Sequence, residues 1–397
     1  MRSACGATIR ARGPVLKTAL AAMLLGLPAT RAAGQEARRI DLQAAINQSD
    51  VVQIPAGDWL LDRHVRVARP NVRIECPSGM ARLITVAFGP ERQTPILDAT
   101  GGYGLLLRNI EISTYGDAQT APAGAGLLLG RDEKLSPMSA KLDNVLIRGR
   151  FRVAALVNVA GECSGFYNCE FTNSEPGGHA VLFVAQHPQR LSAHSHPRPQ
   201  TCLQNAFFNC SLGVNNPFGP RCDGSACLAV ESLENDTIGD ITLFGGGFSA
   251  KQPGSFGVLI RCRGRGGHVN GLALYGLRAE CNESEAVIRV DQPDGQTASF
   301  VTWVGGSAVF SKRFVHVLGE FAISNWKIDN VHLTGGVPEV PVVQVPHAQR
   351  CWFDLTSAAA PWPIQIEKST RGDVIRVQAG RRAEVPKELR GTRVENE

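Results

Sequence analysis

A short motif recurs along most of the chain: a turn residue, an apolar residue, a variable residue and a second apolar residue. The intervals between the earlier motifs vary, whereas the later motifs follow one another at a nearly constant distance. Internal repetition at a period of roughly 20–50 residues is typical of a solenoid, in which each repeat stacks on the next. The motif begins at Asn109, Asn144, Asn168, Asn209, Asp240, Gly271, Phe300 and Asn330.

A second apolar segment with alternating residues lies between successive motifs. It covers residues 156–159, 182–185, 229–232, 259–262, 287–290, 314–317 and 342–345. Each repeat therefore contains at least two short strands, which enclose a continuous core when successive turns stack about 4.8 Å apart. Asn suits the turn, because it tolerates the left-handed backbone and can bond to its equivalent in the next turn. A β-sandwich of short strands is the alternative, but it does not require Asn at near-constant spacing.

The start of the repeat region resembles a known superfamily. Residues 41–46 look like the short helix that caps a β-solenoid, and residues 51–61 followed by residues 71–74 are similar to the opening of the pectate lyase/pectin lyase-like superfamily. The resemblance covers roughly residues 40–380. It implies a right-handed fold, and its members include polysaccharide lyases, glycoside hydrolases, uronan epimerases and phage tail-spike enzymes, so it constrains fold more than reaction.

The repeat and the resemblance together predict an all-β fold: a single-stranded, right-handed parallel β-helix of about ten rungs with a short N-terminal capping helix. We expect Asn109, Asn144, Asn168 and Asn209 at equivalent turns. The β-helix domain is predicted to cover residues 34–380. The charged residues 381–397 contain little apolar surface and are predicted to be disordered.

Residues 1–33 have the layout of a secretory signal peptide. They contain five Lys or Arg residues, no Asp or Glu, and an apolar run at residues 18–27 that is too short for a membrane span. We expect cleavage near Ala33, with a retained membrane anchor as the alternative. Cleavage would lower the formal charge from +5 to about zero, which removes the argument for nucleic acid or an acidic membrane as a partner. The mature protein is predicted to be secreted or periplasmic.

Ten cysteines remain after this cleavage, an even number that favours disulfides in an exported protein. Cys169 and Cys210 occupy the same inward position of the repeat, and Cys163 and Cys202 precede them at similar places. Either pair is therefore a candidate for a disulfide between rungs, and buried free thiols are the alternative.

The candidate site emerges when the second segments are aligned on one another. Their outward residues form a column whose neighbours are about one repeat apart, except across the longer interval from Val184 to Glu231: Asn158, Val184, Glu231, Arg261, Arg289, His316 and Gln344. Arg263 and Asp291 lie two residues further along their strands and on the same face. We expect Glu231, Arg261, Arg289, Asp291 and His316 to line one continuous strip along the helix axis.

This strip suggests chemistry on an acidic sugar polymer. Arginine can hold a uronate carboxylate with two parallel hydrogen bonds, which makes the neighbouring C–H more acidic, and His316 or an arginine of lowered pKa can then accept the proton. We therefore assign Arg261, Arg289 and His316 as catalytic residues. The substrate-binding residues are predicted to be Asn158, Glu231, Arg263, Asp291 and Gln344.

The predicted function is binding and cleavage of an acidic polysaccharide by β-elimination. A non-catalytic protein that binds or guides a polysaccharide, or acts as an adhesin, is the first alternative, because the strip also fits simple charge pairing between strands. A glycoside hydrolase is the second, although the clustered Asp residues expected of polygalacturonases are missing. The Ca²⁺-binding Asp cluster of pectate lyases is also not recognisable, so no cofactor is assigned and Ca²⁺ stays open.

Three other features are weaker candidates for a site. Four closely spaced histidines, His179, His187, His194 and His196, match no familiar zinc spacing, and we expect the loop at 188–199 to cover the strip instead. The carboxylates of Asp132-Glu133 and of Asn235-Asp236 are expected in solvated turns. Gly245, Gly246 and Gly247 are expected to form a turn or a flattened strand, because no phosphate-loop Lys follows them.

Overall fold

The computed structural model describes residues 38–85, 94–114, 123–131, 139–186, 201–217, 219–233, 235–292, 297–337, 339–357, 364–369, 374–378 and 393–396. Across these residues the chain forms 36 β-strands and one helix of seven residues. None of the described residues belongs to a helix long and apolar enough to cross a membrane. The signal peptide predicted at residues 1–33 lies outside the described residues.

The strands pair in parallel, and each turn of the chain adds strands to three stacks, here called sheets B, C and A in chain order. This arrangement is the right-handed parallel β-helix predicted from the repeat. The strands of sheet A number eleven in the described residues, close to the ten rungs expected. They are Val65–Arg66, Pro95–Thr100, Ala123–Gly130, Phe151–Val159, His179–Val184, Ala226–Ser232, Phe256–Cys262, Ala286–Asp291, Arg313–Leu318, Val343–Gln349 and Ile364–Ser369.

Sheets B and C form the rest of the wall. The strands of sheet B are Val51–Gln53, Arg73–Glu75, Leu105–Arg108, Ala140–Asp143, Gly165–Tyr167, Thr201–Cys202, Asn205–Phe208, Thr237–Phe244, His268–Tyr275, Ala298–Val304, Ile323–Ser324, Lys327–Gly335, Trp352–Ser357, Val374–Gln378 and Arg393–Asn396. The strands of sheet C are Arg38–Arg39, Gly57–Leu61, Ala81–Thr85, Ile110–Thr114, Leu146–Gly149, Glu170–Asn173, Ser211–Val214, Gly247–Ala250, Arg278–Cys281 and Ser307–Phe310. The strand Lys327–Gly335 continues from sheet B into sheet C, where its last four residues pair with Ser307–Phe310. The last strand of sheet B lies in the tail predicted to be disordered, whose other residues fall outside the described ones.

The helix Leu42–Gln48 closes the N-terminal end of the core, as the resemblance implied. Its N-cap residue Asp41 accepts a hydrogen bond from the backbone N–H of Ala44 at 3.0 Å, which satisfies one of the unpaired donors of the first turn. Leu42 and Ile46, four residues apart on one helix face, are each 1% exposed and join the apolar core. The helix therefore covers apolar surface that the first rung leaves without a neighbour.

The predicted Asn turn lies between sheets B and C. Asn109, Asn144, Asn168 and Asn209 have φ angles of 55°, 53°, 51° and 54°, in the left-handed region that Asn tolerates. Asn144 Nδ2 donates to Asn109 Oδ1 at 2.9 Å, and Asn209 Nδ2 donates to Asn168 Oδ1 at 3.1 Å. The expected equivalence of these four turns is confirmed.

Three of the four later members of the sequence repeat belong to a different turn, which corrects the alignment made from the sequence. The fourth, Asn330, does lie at the B-to-C turn. Phe208 pairs with Phe244, so Gly245 follows Asn209 in the B-to-C turn. Asp240, Gly271 and Phe300 have positive φ angles too, but they lie inside the sheet B strands Thr237–Phe244, His268–Tyr275 and Ala298–Val304. Both turns end in a left-handed residue followed by a strand that alternates inward and outward, so their sequences look alike.

The structure has free thiols at all ten described cysteines, so the expected disulfide is not present. Cys163 is exposed whereas Cys202 is buried, and the structure does not bring that pair together. Cys169 and Cys210 do lie on neighbouring rungs, and the backbone N–H of Cys169 donates to Cys210 Sγ at 3.4 Å. Nine of the ten are buried, where a thiol packs as a small apolar side chain.

Asn144→Ala should lower the free energy of unfolding by about 1–3 kcal/mol, because Ala loses the hydrogen bond to Asn109 and resists the left-handed backbone. Asn144→Gly removes the same hydrogen bond but adopts the φ angle freely, so it should cost less. Denaturant unfolding of the two variants measures the difference. Equal losses in both would show that backbone conformation contributes nothing at this turn.

Oxidation should link Cys169 to Cys210 before any other pair. Neighbouring rungs hold their Cα atoms about 4.8 Å apart, inside the range of roughly 4.4–6.8 Å that a disulfide needs. Peptide mapping after treatment with a thiol oxidant should find this link, and Cys210→Ser should abolish it. Ten unmodified thiols after oxidation, or a link between other cysteines, would refute the expectation.

Candidate functional site

The outer face of sheet A presents three columns of side chains along the helix axis. The register of the strands places the residues of the middle column opposite one another: Asp98, Leu128, Val157, Leu182, Ala229, Leu259, Arg289, His316, Gln344 and Gln365. The column two residues further along contains Thr100, Gly130, Val159, Val184, Glu231, Arg261, Asp291 and Leu318. The column three residues before the middle one contains Pro95, Ala125, Ala154, His179, Ala226, Phe256, Ala286 and Arg313.

These strands bend towards their outer face. His179 and Val184 are five residues apart, which in a straight strand is about 16 Å, and Val184 pairs with Glu231 on the next rung. Yet His179 Nε2 lies only 4.0 Å from Glu231 Oε1, a gap that two side chains close only if the strand curves. The outer face of sheet A is therefore a groove parallel to the helix axis. The middle column forms its floor, and the other two columns form its walls.

The groove has an apolar half and a polar half. In its N-terminal rungs the floor and walls form a second apolar cluster, separate from the core, in which Leu128 and Val157 are fully buried. Charged residues occupy the downstream wall from Glu231 onwards and the floor from Arg289 onwards. The two halves differ in sequence rather than in backbone, because the strand register continues through both.

A chain of ion pairs and hydrogen bonds connects the polar half. Arg261 Nη1 donates to Glu231 Oε1 at 2.7 Å, and Arg261 Nε lies 3.7 Å from Asp291 Oδ2. Arg289 Nε donates to Asp291 Oδ1 at 2.7 Å, and Arg289 Nη1 contacts His316 Nδ1 at 2.6 Å. The exposed fractions of the arginine and carboxylate side chains run from 15% for Arg289 to 30% for Asp291, so the network is partly shielded from water.

The contact with Arg289 determines the protonation state of His316. A guanidinium group can only donate, so Nδ1 of His316 must be unprotonated and the ring hydrogen must be on Nε2. Burial, followed by the charges of Arg289 and Arg313, lowers the pKa of His316 to about 4. His316 is therefore neutral at neutral pH, but its basic nitrogen is occupied by Arg289 in this structure.

The predicted single column of site residues is divided between floor and wall. Arg261 pairs with Asp291 rather than with Arg289, and Arg289 pairs with Leu259. The sequence alignment placed Arg261 and Arg289 in register because both follow an apolar pair in their segments. In the structure the repeat at this rung is two residues longer than that alignment assumed. The groove nevertheless brings Arg261, Arg289 and His316 into one network.

Asn158 is not in the groove, which corrects its assignment as a substrate-binding residue. It pairs with Phe183 on the inner face, is 0% exposed, and donates through Nδ2 to Asn205 Oδ1 at 3.1 Å. Its Oδ1 accepts from the backbone N–H of Gly161 at 2.9 Å. Asn158 therefore satisfies backbone and side-chain groups inside the wall. The sequence alignment was one residue out of register here, since Val159 is the outward neighbour of Val184.

The remaining predicted binding residues lie at the margins of the groove. Gln344 continues the floor beyond His316, and its Oε1 accepts from Arg313 Nε at 3.0 Å. Arg263 is exposed and follows the strand Phe256–Cys262, two residues beyond Arg261. Val184 belongs to the apolar half and is 3% exposed.

Three groove residues were missed in the sequence. His179, Phe256 and Arg313 form the upstream wall, and each lies three residues before a floor residue. The guanidinium carbon of Arg289 lies 6.0 Å from the Phe256 ring centroid, and Arg313 contacts Glu285 as well as Gln344. This constant offset of three residues is visible in the sequence. Strict alternation along a strand would nevertheless put residues at an odd offset on the inner face, and only the bend of the strand brings them to the outer face.

The other sequence candidates do not add to this site. Within the part of the chain that the structure describes, no three His, Cys, Asp or Glu side chains are grouped to hold a metal ion. His187, His194, His196, Asp132 and Glu133 lie outside the described residues, as does the loop expected to cover the strip. Asp236 is buried and accepts from the backbone N–H of Leu233 at 3.0 Å, which makes it a turn residue. Gly245 and Gly246 form the expected turn.

Comparison with known proteins gives one similar structure and no family. No family model matches the chain, and no curated protein matches it. One solved structure with a similar fold is a tailspike protein, gp49 from Acinetobacter baumannii bacteriophage Fri1, described as a capsular polysaccharide depolymerase. The identity is 13% and the TM-score 0.44, and the match covers 85% of this chain but 62% of the tailspike chain. This chain therefore matches less than two thirds of the tailspike's length.

The lowered pKa of His316 should make stability depend on pH. Its folded pKa of about 4 lies below the ordinary value of 6.5, so the unfolded chain binds the extra proton first. The contribution of neutral His316 is therefore complete above about pH 6.5 and is lost as the pH falls to about 4. His316→Gln cannot titrate, so its unfolding temperature should fall less than that of the wild type between pH 7 and 4. Parallel pH curves for the two proteins would contradict this assignment.

Proposed function

We propose that this protein is an exported β-helix protein that binds an acidic polysaccharide in the groove of sheet A and cleaves it by β-elimination. The observation that supports this proposal is the half-buried polar network on the groove floor and wall, built around Arg289 and His316. The proposed export rests on the N-terminal charge and apolar pattern of the sequence.

The dimensions of the polar half suit an elongated ligand. Glu231 and Gln344 lie on the first and last of five consecutive strands of sheet A, a span of about 19 Å along the axis. Several sugar units fit within that length. Carboxylates, guanidinium groups, an imidazole N–H and an amide offer both donors and acceptors to sugar hydroxyl groups.

The proposed chemistry uses the two basic floor residues. Arg289 would bind the uronate carboxylate and stabilise the negative charge that develops on it when the adjacent C–H loses its proton. His316 would accept that proton, and its neutral state at neutral pH suits a base. The carbon–oxygen bond to the next sugar then breaks, which leaves a carbon–carbon double bond in one product.

Binding without cleavage is the second candidate, and one observation favours it. Arg261 is already paired with Glu231 and Asp291 on the two neighbouring strands, which is the arrangement that charge pairing between strands would select. A hydrolase has less support. Glu231 and Asp291 both contact Arg261, so neither is presented as a free acid for a leaving group.

Sheet B carries the other large outward feature, but its geometry suits sugar binding less well. Tyr167, Phe208, Phe244 and Tyr275 stack in order with ring centroids 5.0, 5.1 and 5.3 Å apart and planes nearly parallel. The two inner rings therefore have both faces covered, and the two end rings each have one face covered by a neighbour. A sugar packs against an aromatic face, so this ladder is better explained as stabilisation between rungs.

Turnover of a panel of uronic-acid polymers tests the proposal. We expect ultraviolet absorbance from an unsaturated product with at least one polymer, and His316→Ala should abolish it. Binding of the same polymer should survive in His316→Ala and weaken by about 10- to 100-fold in Arg289→Ala, since one charged hydrogen bond contributes about 1.5–3 kcal/mol.

Arg278→Ala is the matched control for this experiment. Arg278 is also a strand arginine paired with an acidic residue, Glu280 at 2.7 Å, but it lies on sheet C. It should bind and turn over the polymer like the wild type. Binding without turnover would support the second candidate, and no effect of any groove substitution on binding would refute the site.

A further inference from the structure

We propose that Arg289 keeps His316 inactive as a base until a substrate carboxylate replaces the imidazole as its partner. This inference rests on the proposed function and names the substrate feature that the site requires, a free carboxylate. Its basis is the way in which the two side chains are held.

One end of the Arg289 side chain is anchored. Arg289 Nε donates to Asp291 Oδ1 at 2.7 Å, and the guanidinium carbon lies 6.0 Å from the Phe256 ring centroid. The far edge carries Nη1 and Nη2. Nη1 donates to His316 Nδ1, while Nη2 makes no hydrogen bond with another residue in the described part of the chain. The edge that fits a carboxylate with two parallel hydrogen bonds is thus half occupied by a single imidazole nitrogen.

His316 has no second basic nitrogen to offer. Nδ1 accepts from Arg289, so Nε2 carries the hydrogen and can only donate. The charged groups around the ring are Arg289, Arg313, Glu285 and Asp291. Two of these are cations, and neither can take a proton from substrate. The lone pair that the ring has for proton transfer is therefore the one that Arg289 covers.

A carboxylate would reverse this arrangement with little movement. An ionised carboxylate is a stronger acceptor for a guanidinium group than a neutral imidazole, and it can engage Nη1 and Nη2 together. Asp291 can keep its hold on Nε throughout. When Nη1 turns to the carboxylate, His316 Nδ1 is left unpaired beside the same carboxylate, next to the carbon whose proton that carboxylate makes acidic.

The elimination step then balances within the site. His316 Nδ1 takes the proton from the carbon adjacent to the carboxylate, and the C–H electron pair becomes the new carbon–carbon double bond. The bond from the neighbouring ring carbon to the glycosidic oxygen breaks, and that oxygen keeps the bonding pair. The proton on His316 passes to the departing oxygen, which restores neutral imidazole. Arg289 then returns to Nδ1 when the carboxylate leaves.

A polymer whose carboxylates are methyl-esterified should therefore be a poor substrate, because a neutral ester does not draw Arg289 away. The test compares kcat/KM of the wild type and Arg289→Ala on a free-acid polymer and on its esterified form. The wild type should prefer the free acid by about 10- to 100-fold. Arg289→Ala should lose most of that preference, because His316 is then uncovered for both polymers.

The pH profile of kcat/KM is the second measurement, because it would not change if the role of Arg289 were only structural. The charge of Arg289 helps to lower the pKa of His316, so its removal should shift the acid limb of the profile to higher pH. Arg289→Lys, which keeps the charge but not the paired donors, should leave that limb close to the wild-type position. Arg278→Ala on sheet C should behave like the wild type in both measurements.

The outcomes separate this inference from the proposed function. No turnover of any uronic-acid polymer by the wild type would refute both. Turnover that needs His316, together with an unchanged preference and an unchanged acid limb in Arg289→Ala, would refute only the role of Arg289. If Arg289→Ala does not fold, the ¹⁵N shift of His316 Nδ1 in the wild type decides: a saturating uronic acid monomer should move it, and no movement would overturn the inference.

Discussion

Parallel hydrogen bonding between successive rungs is the constraint on which the rest of this structure depends. It fixes, for every strand residue, the one residue on the next rung that becomes its neighbour, and so converts a one-dimensional sequence into columns. The ladder of Asn109 and Asn144 is one such column, and the groove floor from Leu259 through Arg289 to His316 is another. A shift of two residues in any rung would exchange floor for wall throughout the following rungs.

This dependence explains how much of the molecule is predictable from its sequence. The Asn turns require a left-handed backbone that few residues tolerate, so they mark rungs directly, and the capping helix has its own local signals. The columns of the groove carry no such marker. Loops of different length separate the strands, and the alignment of Arg261 with Arg289 missed the true partner, Asp291, by two residues. The five residues predicted to line the strip therefore lie on the same face of sheet A, but with other neighbours than the alignment gave them.

Two further properties of the site arise only in three dimensions. The bend of sheet A brings His179 to Glu231 across the groove, although five residues of strand and one rung separate their positions. The tautomer of His316 is set by a guanidinium group from the previous rung. The spacing of residues in the sequence predicts neither the curvature of a strand nor the donor that reaches a given nitrogen. Both depend on how neighbouring rungs pack.

The two halves of the groove show why stability alone is a poor explanation of its polar half. Ion pairs on sheet C have well-exposed arginines, 42% for Arg148 and 70% for Arg278, where water screens the charges and desolvation costs little. Arg261 and Arg289 are only 21% and 15% exposed, so part of their hydration is lost. Apolar packing of the same positions is often as stable or more stable. The N-terminal half of this groove uses that solution, with Leu128, Val157 and Leu182 on its floor. A partly dehydrated network that the same backbone does not need is what the proposed ligand site requires, since a ligand would exchange contacts with it.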